Sequence, residues 1–126
     1  MTITTIDSEA APAAVGPYSH AVRHGNTLYL SGQIGLDPAS GTLVPGGVTA
    51  ETQQILRNLD AVLATAGASR TQIVKATIYL VEMEDFRQVN AIYGDWLGNH
   101  RPARATVAVA RLPLDARIEI DLVVAL

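Results

Sequence analysis

Between Ile55 and Ala66 the apolar side chains recur at helical spacing. Ile55, Leu56, Leu59, Val62, Leu63 and Ala66 share one face, and a stripe of that width has to be covered by another layer. Thr49 is placed to cap this helix, Glu51 to sit favourably in its first turn, and Gly67 to close it. Ile73 to Val81 follows as a run rich in β-branched residues and predicts a strand. Phe86, Val89, Tyr93 and Trp96 then mark a second amphipathic helix ending near Gly98.

The flanking segments read as strands and connectors. Thr2 to Ile6 is a short strand, and Ala10 to Pro17 is a Pro/Ala/Gly connector. Ala21–Arg23 and Thr27–Leu30 form a hairpin about His24-Gly25-Asn26, and Leu36–Gly47 reads as an ordered loop. Ala105–Ala110 is a strand bounded by Pro102 and Pro113. Arg117–Ala125 is another, with Ile118, Ile120, Leu122 and Val124 on one face. The order β-β-β-α-β-α-β-β predicts an α+β fold, a mixed sheet with both helices on one face. The other face, read as including Thr77, Thr106, Ala108 and Ala110, is small and weakly polar, suited to packing against a copy of itself. The 126 residues fit one domain, 1–126, with no internal repeat or linker.

Composition narrows the function. A net charge of −3 and scattered basic residues disfavour nucleic acid as a main partner. The absence of cysteine excludes disulfides, thiolate catalysis and cysteine-ligated zinc. No basic region precedes an apolar stretch at the N-terminus and no apolar run could span a bilayer, so cytoplasm is the expected compartment and membrane is not an expected partner. A charged fraction of 17% leaves surface that another subunit could cover.

The sequence holds no phosphate-binding glycine loop, no nucleophile elbow and no histidine pair at metal-ligand spacing, and His20, His24 and His100 read as ordinary surface or turn residues. What remains is a set of polar residues at strand ends and beside prolines. Tyr18 is either an aromatic anchor for the connector or part of a site. Ser31-Gly32-Gln33 is either a turn or an anion contact. Asn90 is either a solvated helix residue or a ligand contact. Glu119 alternates with Arg117 and Asp121, as an exposed strand face would, and Arg104 is a natural partner for Glu119 or Asp121.

Taken together, the string Pro102-Ala-Arg104-Ala-Thr-Val-Ala-Val-Ala-Arg-Leu-Pro113, followed by Ile118-Glu-Ile-Asp121, closely resembles the C-terminal signature of the RidA/YjgF family. Ala11–Ser19, Leu30–Gln33, Ile73–Thr77 and Val89–Tyr93 resemble that family's other blocks in the same order. The resemblance implies a chorismate-mutase-like fold assembled into homotrimers with clefts between subunits. It implies hydrolytic deamination of enamine and imine intermediates such as 2-aminoacrylate to 2-keto acids and ammonia, with no metal or organic cofactor. By the same resemblance Arg104 binds the substrate carboxylate, and Glu119 is the acid/base residue that positions water. Tyr18, Ser31, Gly32 and Asn90 line the cleft, as does Thr106, which stands where some members carry a reactive cysteine. Two other readings are a non-catalytic binding or chaperone-like trimer and an endoribonuclease or translation inhibitor. The segment between Trp96 and Pro102 is shorter than in some relatives, which bears on the cleft rim.

Overall fold

The computed structural model describes residues 2–126. Its strands are β1 (Ile3–Ile6), β2 (Ala21–His24), β3 (Thr27–Gln33), β4 (Ile73–Leu80), β5 (Ala103–Ala108) and β6 (Ile118–Ala125). Its helices are α1 (Gly47–Thr65) and α2 (Phe86–Leu97). One six-stranded sheet has the order β1-β2-β3-β6-β4-β5. β4 and β5 are parallel and every other neighbouring pair is antiparallel. The element order matches the sequence reading. β6 sits centrally because it alternates fully buried Ile118, Ile120, Leu122 and Val124 with half-buried Glu119, Asp121 and Val123. Its buried face joins Ile78 and Leu80 of β4, Ile55 and Leu59 of α1, and Val89 of α2 in one apolar cluster. Both helices therefore cover the same face.

Three local expectations are corrected. Thr49 does not cap α1: Gly46 does, at φ 113°, with no side-chain cap, and Thr49 Oγ1 donates to Gln88 on α2 at 3.1 Å. The backbone enters the helix through Gly46 and Gly47, both at positive φ, where a threonine would be strained. Glu51 lies beyond the first turn and is buried, and its Oε1 accepts the Arg117 backbone N–H at 2.8 Å. Burial holds its carboxyl above the usual range, while that hydrogen bond and the Arg117 charge oppose the rise. Gly67, at φ 73°, does follow the last turn of α1, in the left-handed conformation that the ending needs.

The third correction concerns β5. It runs two residues earlier than the sequence suggests, and its register pairs Arg104 with Ala76, Thr106 with Ile78 and Ala108 with Leu80. Ala76, Ile78 and Leu80 face the core. Arg104, Thr106 and Ala108 thus lie on the helix side of the sheet, whereas Ala103, Ala105 and Val107 share the open face with Thr77 and Tyr79. Ala110 lies beyond the strand.

Two of the three histidines also depart from expectation, whereas His24 is exposed beside the β2–β3 turn as read. His20 is 3% exposed. Its Nδ1 accepts the Ser8 N–H at 2.9 Å, and its ring lies 2.7 Å from the Pro12 carbonyl, so Nε2 must carry the proton. This neutral ring staples the proline-rich connector to the start of β2. His100 bonds the Ile73 carbonyl at 2.7 Å and ties the end of α2 to β4.

Candidate active site

The sequence-nominated residues gather in two places rather than one. The first is a cleft of about 360 Å³ on the open side of the sheet. Tyr18, Ser31, Gly32 and Glu119 line it, with apolar walls from Pro12, Val15, Ile34, Leu36, Pro113 and Leu114. Ser31 and Gly32 form a β-bulge: Leu30 pairs with Leu122 and Gln33 with Ile120, so two residues of β3 oppose Asp121 alone. The Ser31 hydroxyl donates to the Ser19 carbonyl at 2.6 Å, which draws the connector bearing Tyr18 against the bulge.

Gly32 is required by packing. A Cβ there would overlap Glu119 Oε2 and lie 2.8 Å from its Cδ. The missing side chain is the space in which the Glu119 carboxyl rests. Burial raises the pKa of that carboxyl, and the Asp121 charge raises it further. Asp121 is itself engaged by the Tyr79 hydroxyl at 2.9 Å.

The second place is a cleft of about 350 Å³ on the helix side, lined by Asn90, Tyr93, Leu97, Arg101, Pro102 and Arg104. Arg104 donates to Asn90 Oδ1 at 2.6 Å, and its guanidinium lies 5.3 Å from the Phe86 ring centre and 5.4 Å from that of Tyr93. Arg104 is exposed, and its hydrogen bond engages Nη1. It pairs with neither Glu119 nor Asp121, which lie on the other face, so a simple ion-pair role within the chain is ruled out. The arginine is held by stacking and an amide rather than by a carboxylate. Nearby, the hydroxyls of Tyr93 and Thr106 are buried without a hydrogen-bond partner. Thr106 shares the helix-side face with Arg104, two residues along β5, but its oxygen is turned away from solvent and it lines neither cleft, contrary to the expectation from the sequence.

The apolar walls of the first cleft come from separate loops: Pro12, Val15 and Pro113 fall within the signature strings, whereas Ile34, Leu36 and Leu114 carry no sequence signal. Neither do Tyr93 and Arg101 in the second, apart from the helical spacing that places Tyr93 in the core. Among the described residues no three His, Asp or Glu side chains converge as a metal-ligand set, and no helix is long and apolar enough to cross a membrane.

Comparison with known proteins bears on this arrangement. A family model described as endoribonuclease L-PSP matches residues 8–126. A mouse protein named 2-iminobutanoate/2-iminopropanoate deaminase is 50% identical over 116 residues, covering 92% of this chain and 86% of its own. Crystal structures of RidA from an Antarctic Psychrobacter and of the E. coli YjgF product superpose with TM-scores of 0.94 and 0.91, at 40% and 41% identity. The first covers 98% of this chain and 99% of its own, the second 97% and 98%. With the family model matching residues 8–126 and relatives of this fold at 40% identity or more over nearly the whole chain, the chain belongs to the RidA/YjgF family, which also carries the description endoribonuclease L-PSP.

Proposed function

We propose that the chain is a hydrolytic deaminase of small 2-imino acids, working as a homotrimer whose clefts join the Glu119 half of one subunit to the Arg104 half of the next. The observation that carries the reading is the division of the two key groups. A proton-exchanging carboxyl lies in an apolar cleft with no cation beside it, and an anion-binding arginine lies on the opposite face with no acid beside it. Each half lacks what the other has. The open sheet face, with Tyr29 and Val107 exposed, offers the surface that would bring copies together. The name of the mouse relative points to the same chemistry.

The reaction needs little machinery. The imine carbon is electrophilic, and the Arg104 fork holds the substrate carboxylate in one plane so that this carbon faces the Glu119 cleft. Glu119 takes a proton from water as the C–O bond forms and delivers it to the imine nitrogen. The resulting carbinolamine collapses: the C–N bond breaks, ammonia leaves with a proton relayed through Glu119, and the C=O bond of the 2-keto acid forms. A carboxyl whose pKa is raised by burial holds a proton more readily and so suits this exchange. A nuclease reading has no comparable support: the net charge is −3, and both ring nitrogens of His20 are occupied.

The test is a coupled assay in which a PLP-dependent dehydratase supplies the enamine and 2-keto acid release is followed. The protein should accelerate release. Arg104→Lys keeps the charge and loses the fork, so it should lower kcat/KM about 10²-fold with the melting temperature unchanged. No acceleration by the wild type would refute the proposal.

A further inference from the structure

Leu114 occupies a conformation that leucine avoids. The turn Pro113–Ala116 closes with the Ala116 N–H donating to the Pro113 carbonyl at 3.1 Å. Both central residues are left-handed, Leu114 at φ 56° and ψ 28° and Asp115 at φ 56°. That pair of conformations normally selects Asn-Gly. Among the described residues these are the only non-glycines at positive φ, and aspartate tolerates it far better than leucine.

Packing at both ends holds the turn in place. Leu112 lies against a buried cluster of Ile34, Leu36 and Ala116. The Arg111–Asp115 ion pair at 3.0 Å is fully surface-exposed and adds little. The strain does not serve burial, because Leu114 is 62% exposed. What the turn achieves is to set an isobutyl group at the exposed edge of the Glu119 cleft, which Val15 of the connector, itself 78% exposed, also lines. The walls behind them are apolar as well.

We infer that Leu114 is a specificity-determining residue: the strained turn holds it over the cleft, where it limits the aliphatic side chain an imino acid can carry. The inference rests on the deaminase reading. A substrate bound by its carboxylate and attacked at its imine carbon has one remaining group, its side chain, to place against these walls. A cleft of about 360 Å³ is larger than a three- or four-carbon imino acid needs. Leu114 is part of the wall that encloses this volume, so it sets how much of the room a longer aliphatic group can reach.

The experiment compares wild type, Leu114→Gly and Leu114→Phe. Calorimetry measures the affinity of pyruvate, 2-oxobutanoate and 4-methyl-2-oxopentanoate. Kinetics use the matching imino acids, made in situ by an amino-acid oxidase. Glycine relieves the left-handed strain, so Leu114→Gly should keep its melting temperature and oligomeric state. Its preference for the branched over the three-carbon ligand should rise about 10-fold, in the range that one or two methylenes make in an apolar pocket. Leu114→Phe should shift the preference the other way. Unchanged ratios, or a change confined to oligomeric state, would overturn the inference. If ratios of 2-oxo acid affinity shift but no protein form turns over imino acids, the inference stands and the deaminase reading falls. If the wild type binds none of the ligands and turns over none, both fall.

Discussion

Ionising Glu119 costs free energy in the folded chain, because half-burial in an apolar cleft and the nearby Asp121 charge both favour the neutral acid. Its folded pKa therefore lies above its unfolded value. Between those two values the folded state holds the extra proton, so this group's contribution to stability is present at low pH and is lost as pH rises through the folded pKa. Two opposite expectations follow for Glu119→Gln. The amide cannot exchange a proton, and kcat should fall roughly 10²–10⁴-fold. The same substitution should raise the melting temperature at pH 8 relative to wild type, and the difference should vanish at pH 4. Parallel melting curves at the two pH values would show that the carboxyl is not held in a costly site.

At the scale of elements, the β3 bulge positions the chemistry. Gly32 has no positive φ, so Gly32→Ala is compatible with its backbone, and the three atoms nearest the added methyl all belong to the flexible Glu119 side chain. The variant should stay folded, within a few degrees in melting temperature, and lose at least ~10-fold in kcat through a displaced acid. A large fall in stability with kcat intact would mean that the strand gives way and the side chain does not. The bulge itself is not legible in the sequence, because Leu-Ser-Gly-Gln reads equally well as a turn. Helices and central strands are legible because each buries one face only, which writes a period into the residues. β5 reads two residues late and on the wrong face for a related reason. It is an edge strand whose small residues, Ala103, Ala105, Thr106 and Ala108, alternate without contrast, so only its pairing with β4 decides which way Arg104 points. The start of α1 misleads because Gly46 provides geometry where Thr49 offers a hydrogen bond. Tyr18, Ser31, Gly32 and Glu119 do gather in one cleft. Their separation from Arg104, Asn90 and Thr106 requires the register.

At the scale of the whole molecule, the sheet places Glu119 and Arg104 on opposite faces of one chain. If subunits complete one another, co-expressed Arg104→Ala and Glu119→Gln chains, each inactive alone, should recover about a quarter of wild-type activity, since random mixing pairs two intact halves in about one cleft in four. Activity that stays at the level of the separate variants would place both groups in the same subunit's site. An arrangement of this kind also changes which residues depend on one another. Selection acts on two distant faces of the chain as though they were a single surface. If so, positions near Arg104 and positions near Glu119 should tolerate change only in matched pairs, although within one subunit they lie on opposite faces of the sheet.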